Sequence, residues 1–291
     1  MKNIKFSIGS DPEVGIFDKK LGRMVSSIPI LKRDKNNPII LDEKTDTKFY
    51  ADNLLAEFSF GPAFNRNEFI ERFRNAFKRG QEYLGDNYKF ELKAAHSYPQ
   101  EDLKPAYGVD PNLIGCTPSF DFYSLTILDG QEFTNNIRTQ STHIHIGHEK
   151  LTDFDTRHTA LKLIEIFLGC SSVIFDKDES SLSRRQYYGL SGNFRPCDYG
   201  AEYRVLSSFA LHCPELIGLT YDLVEYSLSH VFNGTGQNIL DSIDVNDIRK
   251  SINLCDKSLA ESVLYKAKLP KDLFKCVKAN YDMNFYKNWK L

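Results

Sequence analysis

The sequence contains no Cys-x-x-Cys pair. Its six cysteines, at 116, 170, 197, 213, 255 and 276, are scattered, so neither a zinc knuckle nor a disulfide framework is indicated and the thiols are expected to be reduced. No apolar run approaches the ~20 residues needed to span a bilayer, and Met1-Lys-Asn-Ile-Lys-Phe6 lacks the apolar core of a secretion signal. The expectation is a cytoplasmic protein with no membrane partner. Charge of one sign is also missing: 37 Lys and Arg face 39 Asp and Glu, a net charge of -2, which argues against a broad electrostatic grip on nucleic acid. There is no internal repeat, no low-complexity segment and no clear linker.

What is present is ordinary for a globular protein: 41% hydrophobic, 13% aromatic and 26% charged residues, with a mean hydropathy of -0.40. A chain of 291 residues can bury a substantial core. At its centre lies Arg138-Thr-Gln-Ser-Thr-His-Ile-His-Ile-Gly-His148. Read as a strand, its period of two places His143 and His145 on one face and Ile144 and Ile146 on the other. Two imidazoles then converge on a spot suited to a metal, a phosphate or a proton transfer.

Other segments share this pattern. Residues 4–17 read as a strand interrupted near Pro12, a residue that belongs at an edge or bulge, with Asp11 and Glu13 on one face. Residues 18–23 form a hairpin turn. Residues 51–60 read as a strand carrying Asn53, Leu55, Glu57 and Ser59 on one side, and 200–208 as one carrying Glu202, Arg204 and Leu206. Helical spacing marks residues 67–84 and 153–174, and further helices are expected near 214–232, 244–254, 258–268 and 271–281. The expected organisation is a core over 1–212 and a helical extension over 213–291 packed on it.

Alternation thus aims Asp11, Glu13, Glu57, His143, His145, Glu202 and Arg204 at a common floor. Several carboxylates on one buried sheet face repel each other unless cations neutralise them. Carboxylates with an occasional imidazole suit Mg²⁺ or Mn²⁺, whereas structural zinc wants thiolates or more histidines. The stretch Arg184-Arg-Gln-Tyr-Tyr-Gly-Leu-Ser-Gly-Asn-Phe-Arg195 adds three arginines on a glycine-rich segment, too basic and glycine-rich for core, and guanidinium forks match phosphate and carboxylate oxygens. There is no Gly-x-x-x-x-Gly-Lys-Ser/Thr loop and no Gly-x-Gly-x-x-Gly fingerprint, so a nucleotide here would be held by another architecture.

Gly9-Ser-Asp-Pro-Glu13, Ala51-Asp-Asn with Glu57, Gly115-Cys-Thr-Pro, the 138–147 strand, Arg184-Arg-x-x-Tyr-Gly-x-x-Gly-x-x-Arg195 and Gly200-x-Glu-Tyr-Arg-x-Leu-Ser207 together resemble the phage-type COOH–NH2 ligases, amidoligases related to glutamine synthetase and glutamate–cysteine ligase. Order and spacing match over residues 8–208, and no motif is matched beyond about 212. The resemblance implies an α+β fold with a glutamine-synthetase-like curved antiparallel sheet and flanking helices. Its concave face would hold ATP and two or three Mg²⁺ or Mn²⁺ ions. It implies Glu13, Glu57, His145 and Glu202 as metal ligands, with Asp11 and His143 supporting them or joining them. Arg195 and Arg204 would hold phosphate oxygens and the acyl phosphate, Arg184 or Arg185 the γ-phosphate or substrate carboxylate, and Arg138 and His143 would also contact the nucleotide. The partners implied are a carboxylate and an amine, peptide or amino acid among them, joined in the cytoplasm, the host's if the gene is a phage's. Two departures are visible: Gln140-Ser-Thr stands where the family has small residues before His-Ile-His, and Asn53 stands where it has glycine.

Two other classes compete. His143-x-His145-x-x-x-Glu149 fits half of a cupin ligand pattern, which would make the protein a metal-dependent hydrolase or oxygenase, but no third histidine follows in strand context. A non-catalytic phage binding protein with the same fold would tend to lose the carboxylates and arginines that remain here.

Overall fold

The computed structural model describes residues 4–112, 119–128, 135–277 and 281–291. The motif at 115–118 lies outside them. Strand β1 (Ser7–Asp18) turns through Gly22, at φ 69°, into β2 (Arg23–Val25). A one-turn helix α1 (Ile28–Leu31) and a polar loop lead to β3 (Ile39–Asp42), β4 (Thr47–Asp52) and β5 (Leu55–Ser59), paired as a meander. The single strand expected over 51–60 is therefore a hairpin whose turn is Asn53. Its φ of 58° is left-handed, a conformation that asparagine tolerates better than most side chains. Asparagine can thus stand where the resembling family has glycine.

Helix α2 (Arg66–Leu84) begins at Asn65, whose side chain accepts from Glu68 N, and buries Phe69, Phe73, Phe77 and Leu84 along one stripe. After it come β6 (Tyr88–Glu91), β7 (Ala95–Ser97), β8 (Ser119–Asp121), β9 (Ile127–Leu128), β10 (Ile137–Thr139) and β11 (Thr142–Gly147). The histidine stretch is thus two strands rather than one. Gln140 explains the break: fully buried, its side chain donates to Glu91 O and accepts from Lys93 N, both at 3.1 Å. That clamp sends Ile137–Thr139 to pair with β7 in a separate two-stranded sheet.

Helix α3 (Phe154–Ile164) runs through a π-helical turn, Glu165–Gly169, into α4 (Cys170–Phe175). Contrary to the sequence reading, the rod Phe154–Phe175 is long and apolar enough to cross a membrane, but its most apolar window is 83% buried inside the protein, as in a core helix. Then follow α5 (Ser181–Arg184), β12 (Asn193–Cys197), β13 (Gly200–Tyr203), α6 (Pro214–Phe232), α7 (Gly236–Leu240), α8 (Val245–Asn253), α9 (Lys257–Lys266) and α10 (Phe285–Trp289). Where a helix was expected over 271–281 there is a 3-10 segment, Lys271–Cys276, and 278–280 are outside the described residues.

The architecture is α+β. Among the described residues eleven strands form one sheet in the order β3-β4-β5-β1-β11-β13-β12-β8-β9, with β2 and β6 joined to the far half of β1. Every pairing is antiparallel. Pro12 is not at an edge. It sits in the central strand at the end of its register with β11, where β1 passes on to β5 and then to β2 and β6, so the missing N–H falls at a change of partners. Ile8, Val14, Ile144, Ile146 and Tyr203 are wholly buried on the sheet's apolar face. Their chain neighbours Asp11, Glu13, His143, His145 and Glu202 therefore share the other.

Candidate functional site

Cross-strand register assembles the site. Glu57 of β5 lies opposite Glu13 of β1, Asp11 of β1 opposite His143 of β11, and His145 of β11 opposite Glu202 of β13, which in turn faces Arg195 of β12. Five adjacent strands thus contribute one row of polar groups. Of the residues read from the sequence, Asp11, Glu13, Glu57, His143, His145, Glu202, Arg195 and Arg204 come together.

Two groups within the row could each hold a cation. In the first, ligand atoms of Glu13, Asp52 and Glu57 lie within 4.8 Å of one another. Burial, then the charges of Asp52 and Asp11, push the Glu13 carboxyl well above its usual range, against the pull of Arg184 and Arg204. Burial and the charges of Asp52, Asp11 and Glu13 do the same to Glu57. The Tyr50 hydroxyl donates to Glu57 Oε1 at 2.7 Å. Among the described residues none of the three makes a salt bridge. An all-oxygen, mutually repelling set of this kind is the donor chemistry of Mg²⁺ or Mn²⁺, so the residues fit such an ion. Asp52 was not singled out from the sequence. It stands at the last position of β4, inside the quoted Ala51-Asp-Asn motif, and that membership was its one available signal.

The second group is Asp11, His145 and Glu202, again within 4.8 Å. Asp11 Oδ1 is 3.2 Å from His143 Nδ1 and 3.4 Å from His145 Nε2. Burial works to raise the Asp11 pKa, but the two imidazoles hold it well below the usual carboxylate range. Burial works to lower that of His145, and the charge and hydrogen bond of Asp11 raise it to about 10. Glu202 is fully buried. Arg195 Nε donates to its Oε2 at 2.6 Å, and Arg204 Nε lies 3.0 Å from its Oε1. Both arginines are thereby aimed across the floor, with Arg204 also donating to Ser119 Oγ and its guanidinium 5.5 Å from the Tyr188 ring.

The other arginines are placed differently from the expectation. Arg184 is fully buried beneath the site, and its N–H groups go to Gln140 O, Val205 O, Leu206 O and Ser141 Oγ. Arg185 donates to Gly189 O and Val205 O. Arg138, in β10, donates to Asn53 Oδ1 at 2.6 Å and to the carbonyls of Pro111, Asn135 and Ile137. These side chains tie together the loops around the floor, because each guanidinium presents five donors to buried backbone carbonyls that need partners. Gly189 is required where it is: its φ is 69°, and a Cβ there would meet the Arg184 guanidinium at 2.0 Å.

Beside the floor lies a cleft of about 420 Å³ lined by Gly9, Asp11, Tyr50, Phe60, Pro62, His145 and Tyr199 among others. A second cavity of about 740 Å³ shares Ser7, Gly147 and Tyr199 with it. Glu149, the last member of the cupin-like pattern, is exposed in a 3-10 turn. His158 and His212 bond to the carbonyls of Phe154 and Met283, so neither joins the pair.

Residues 135–230 match the family model described as phage phiEco32-like COOH.NH2 ligase-type 2. The matched segment runs from the residues before β10 through most of α6 and contains His143, His145, Arg195, Glu202 and Arg204. It therefore supports the family read from the motifs, and reaches beyond the point near 212 where those motifs stop. No curated protein matches the chain.

Proposed function

We propose that this protein is an ATP-dependent carboxylate–amine ligase that forms an amide through an acyl phosphate, on a sheet of the glutamine-synthetase type. The observation that carries the reading is the triad of half-buried Glu13 and Asp52 with buried Glu57, set in one row with arginines that Glu202 holds in place. Glu13, Asp52 and Glu57 would hold one Mg²⁺ or Mn²⁺, and Asp11, His145 and Glu202 a second. The ions would supply neutralisation of triphosphate charge. Arg195, 29% exposed at its side chain, reaches the phosphate oxygens, and Arg204 meets the charge that develops on the activated carboxylate. His143 Nδ1, 3.2 Å from Asp11 and 3.4 Å from Glu202, orients these two carboxylates. Arg184, Arg185 and Arg138 act by holding the loops rather than by touching phosphate. The walls of the cleft, Tyr50, Phe60 and Pro62, keep water from the activated carboxylate until the amine attacks.

Isotope transfer tests the reading. With ¹⁸O in the substrate carboxylate, the label is expected in released phosphate, dependent on ATP, Mg²⁺ and amine. The transfer is expected to be lost in Arg204→Ala and also in Arg195→Lys, because an ammonium cannot make the two parallel bonds of the Arg195 fork. Amide formation with unlabelled phosphate would overturn the acyl-phosphate route. A hydrolase would give neither product.

A further inference from the structure

Tyr199 belongs to the two-residue turn between β12 and β13, a segment whose position is fixed twice over. Its carbonyl accepts from His148 N at 3.0 Å, and the next residue, Gly200, has φ 148° and lies so close to β11 that a Cβ there would meet Ile146 O at 2.3 Å. The turn is therefore pinned over the end of the histidine strand. From it the Tyr199 hydroxyl reaches back to His145 Nδ1 at 2.5 Å, while the opposite ring nitrogen, Nε2, faces Asp11 Oδ1. The side chain is not there for packing: the residue is 47% exposed, and it lines both cavities beside the floor.

An imidazole can present a lone pair at one nitrogen only while its proton sits on the other, and the partner of that second nitrogen sets which one it is. We propose that Tyr199 is a positioning residue that keeps the His145 proton on Nδ1, so that Nε2 is offered to a divalent cation shared with Asp11 and Glu202. This rests on the metal reading of the floor. Cys197 and Asp11 also bear on the ring, and the Tyr199 hydroxyl is the group set at 2.5 Å from Nδ1.

Calorimetry with Mn²⁺ alone tests it. Asp52→Asn first removes the competing triad, leaving one site to titrate. In that background Tyr199→Phe, which keeps the ring and removes only the hydroxyl, is expected to weaken Mn²⁺ binding by about 10- to 100-fold. In the metal-free protein the His145 Nδ1–H proton is expected to give a protected NMR resonance that Tyr199→Phe loses to exchange. Unchanged affinity with the resonance retained overturns the assignment while leaving the metal reading intact. Absence of Mn²⁺ binding in the unmutated protein overturns both. A fall in thermal midpoint large enough to explain the weaker binding would make the hydroxyl a structural group and also overturn the assignment.

Discussion

Burial, then the charges of Asp52, Asp11 and Glu13, disfavour the charged form of Glu57, so replacing its carboxyl acts in two directions. Without metal, Glu57→Gln relieves repulsion while keeping an oxygen for the Tyr50 hydroxyl. We expect the metal-free protein to gain about 1 kcal/mol, read as a rise of roughly 2 °C in thermal midpoint. With Mn²⁺ present the order reverses, because the variant has lost a ligand, and affinity by calorimetry is expected to fall more than about tenfold. Equal Mn²⁺ affinity in the two proteins would remove Glu57 from the site. At this scale the sequence was informative wherever a side chain sat in mid-strand. Asp11, Glu13, Glu57, His143, His145 and Glu202 were all found by counting in twos. Asp52 and Tyr199 were not, because one ends a strand and the other lies in a turn, where alternation stops carrying directional information.

The π-helical turn between α3 and α4 holds Glu165, fully buried on the apolar side of the sheet, with Oε1 accepting from Gly192 N at 2.9 Å. Burial raises its pKa from 4.5 to about 7, against the hydrogen bonds of Ser191, Tyr203 and Gly192. The folded state thus binds a proton that the unfolded state has released between those values. The stability associated with it is complete below about pH 4.5 and is lost as pH rises through about 7, a change of roughly 3 kcal/mol. Glu165→Gln is expected to flatten this slope and to stabilise the protein above pH 7, measured by denaturant unfolding at several pH values. An unchanged slope would place the charge elsewhere. The elements themselves were legible to different degrees. Helix α2 was marked by its apolar stripe over 67–84, whereas the breaks at Asn53 and Gln140 were not. A turn built on a non-glycine residue at positive φ, and a strand split by a side-chain clamp, both depend on tertiary neighbours such as Arg138 and Glu91.

The chain buries one continuous core that includes residues from Phe6 to Trp289. The helical extension expected beyond 212 contributes to it directly. Trp289 is 1% exposed, donates from Nε1 to Leu211 O at 2.7 Å, and stacks edge-on against Phe77 of α2. Tyr286 donates to Gln81 Oε1 and accepts from Phe90 N. Trp289→Ala is expected to cost about 3–5 kcal/mol, with a single cooperative unfolding transition in both proteins. Release of a folded 213–291 fragment by limited proteolysis would show instead that the extension is separable.

The pairing of β1 with β11 joins residues 7–12 to residues 142–147, and it bears on how the molecule comes into being. Once made, residues 7–12 of β1 have no β11 partner until more than a hundred further residues exist, and β13 is later still. Contacts so distant along the chain close slowly, since their loop entropy must be met before any ladder forms. The set of Asp11, His145 and Glu202 cannot come together before β11 and β13 exist, whereas Glu13, Asp52 and Glu57 all come from strands within residues 7–59. The two candidate cation groups of the floor therefore differ in when they can form: the triad with the first strands, the set around His145 only with the whole sheet.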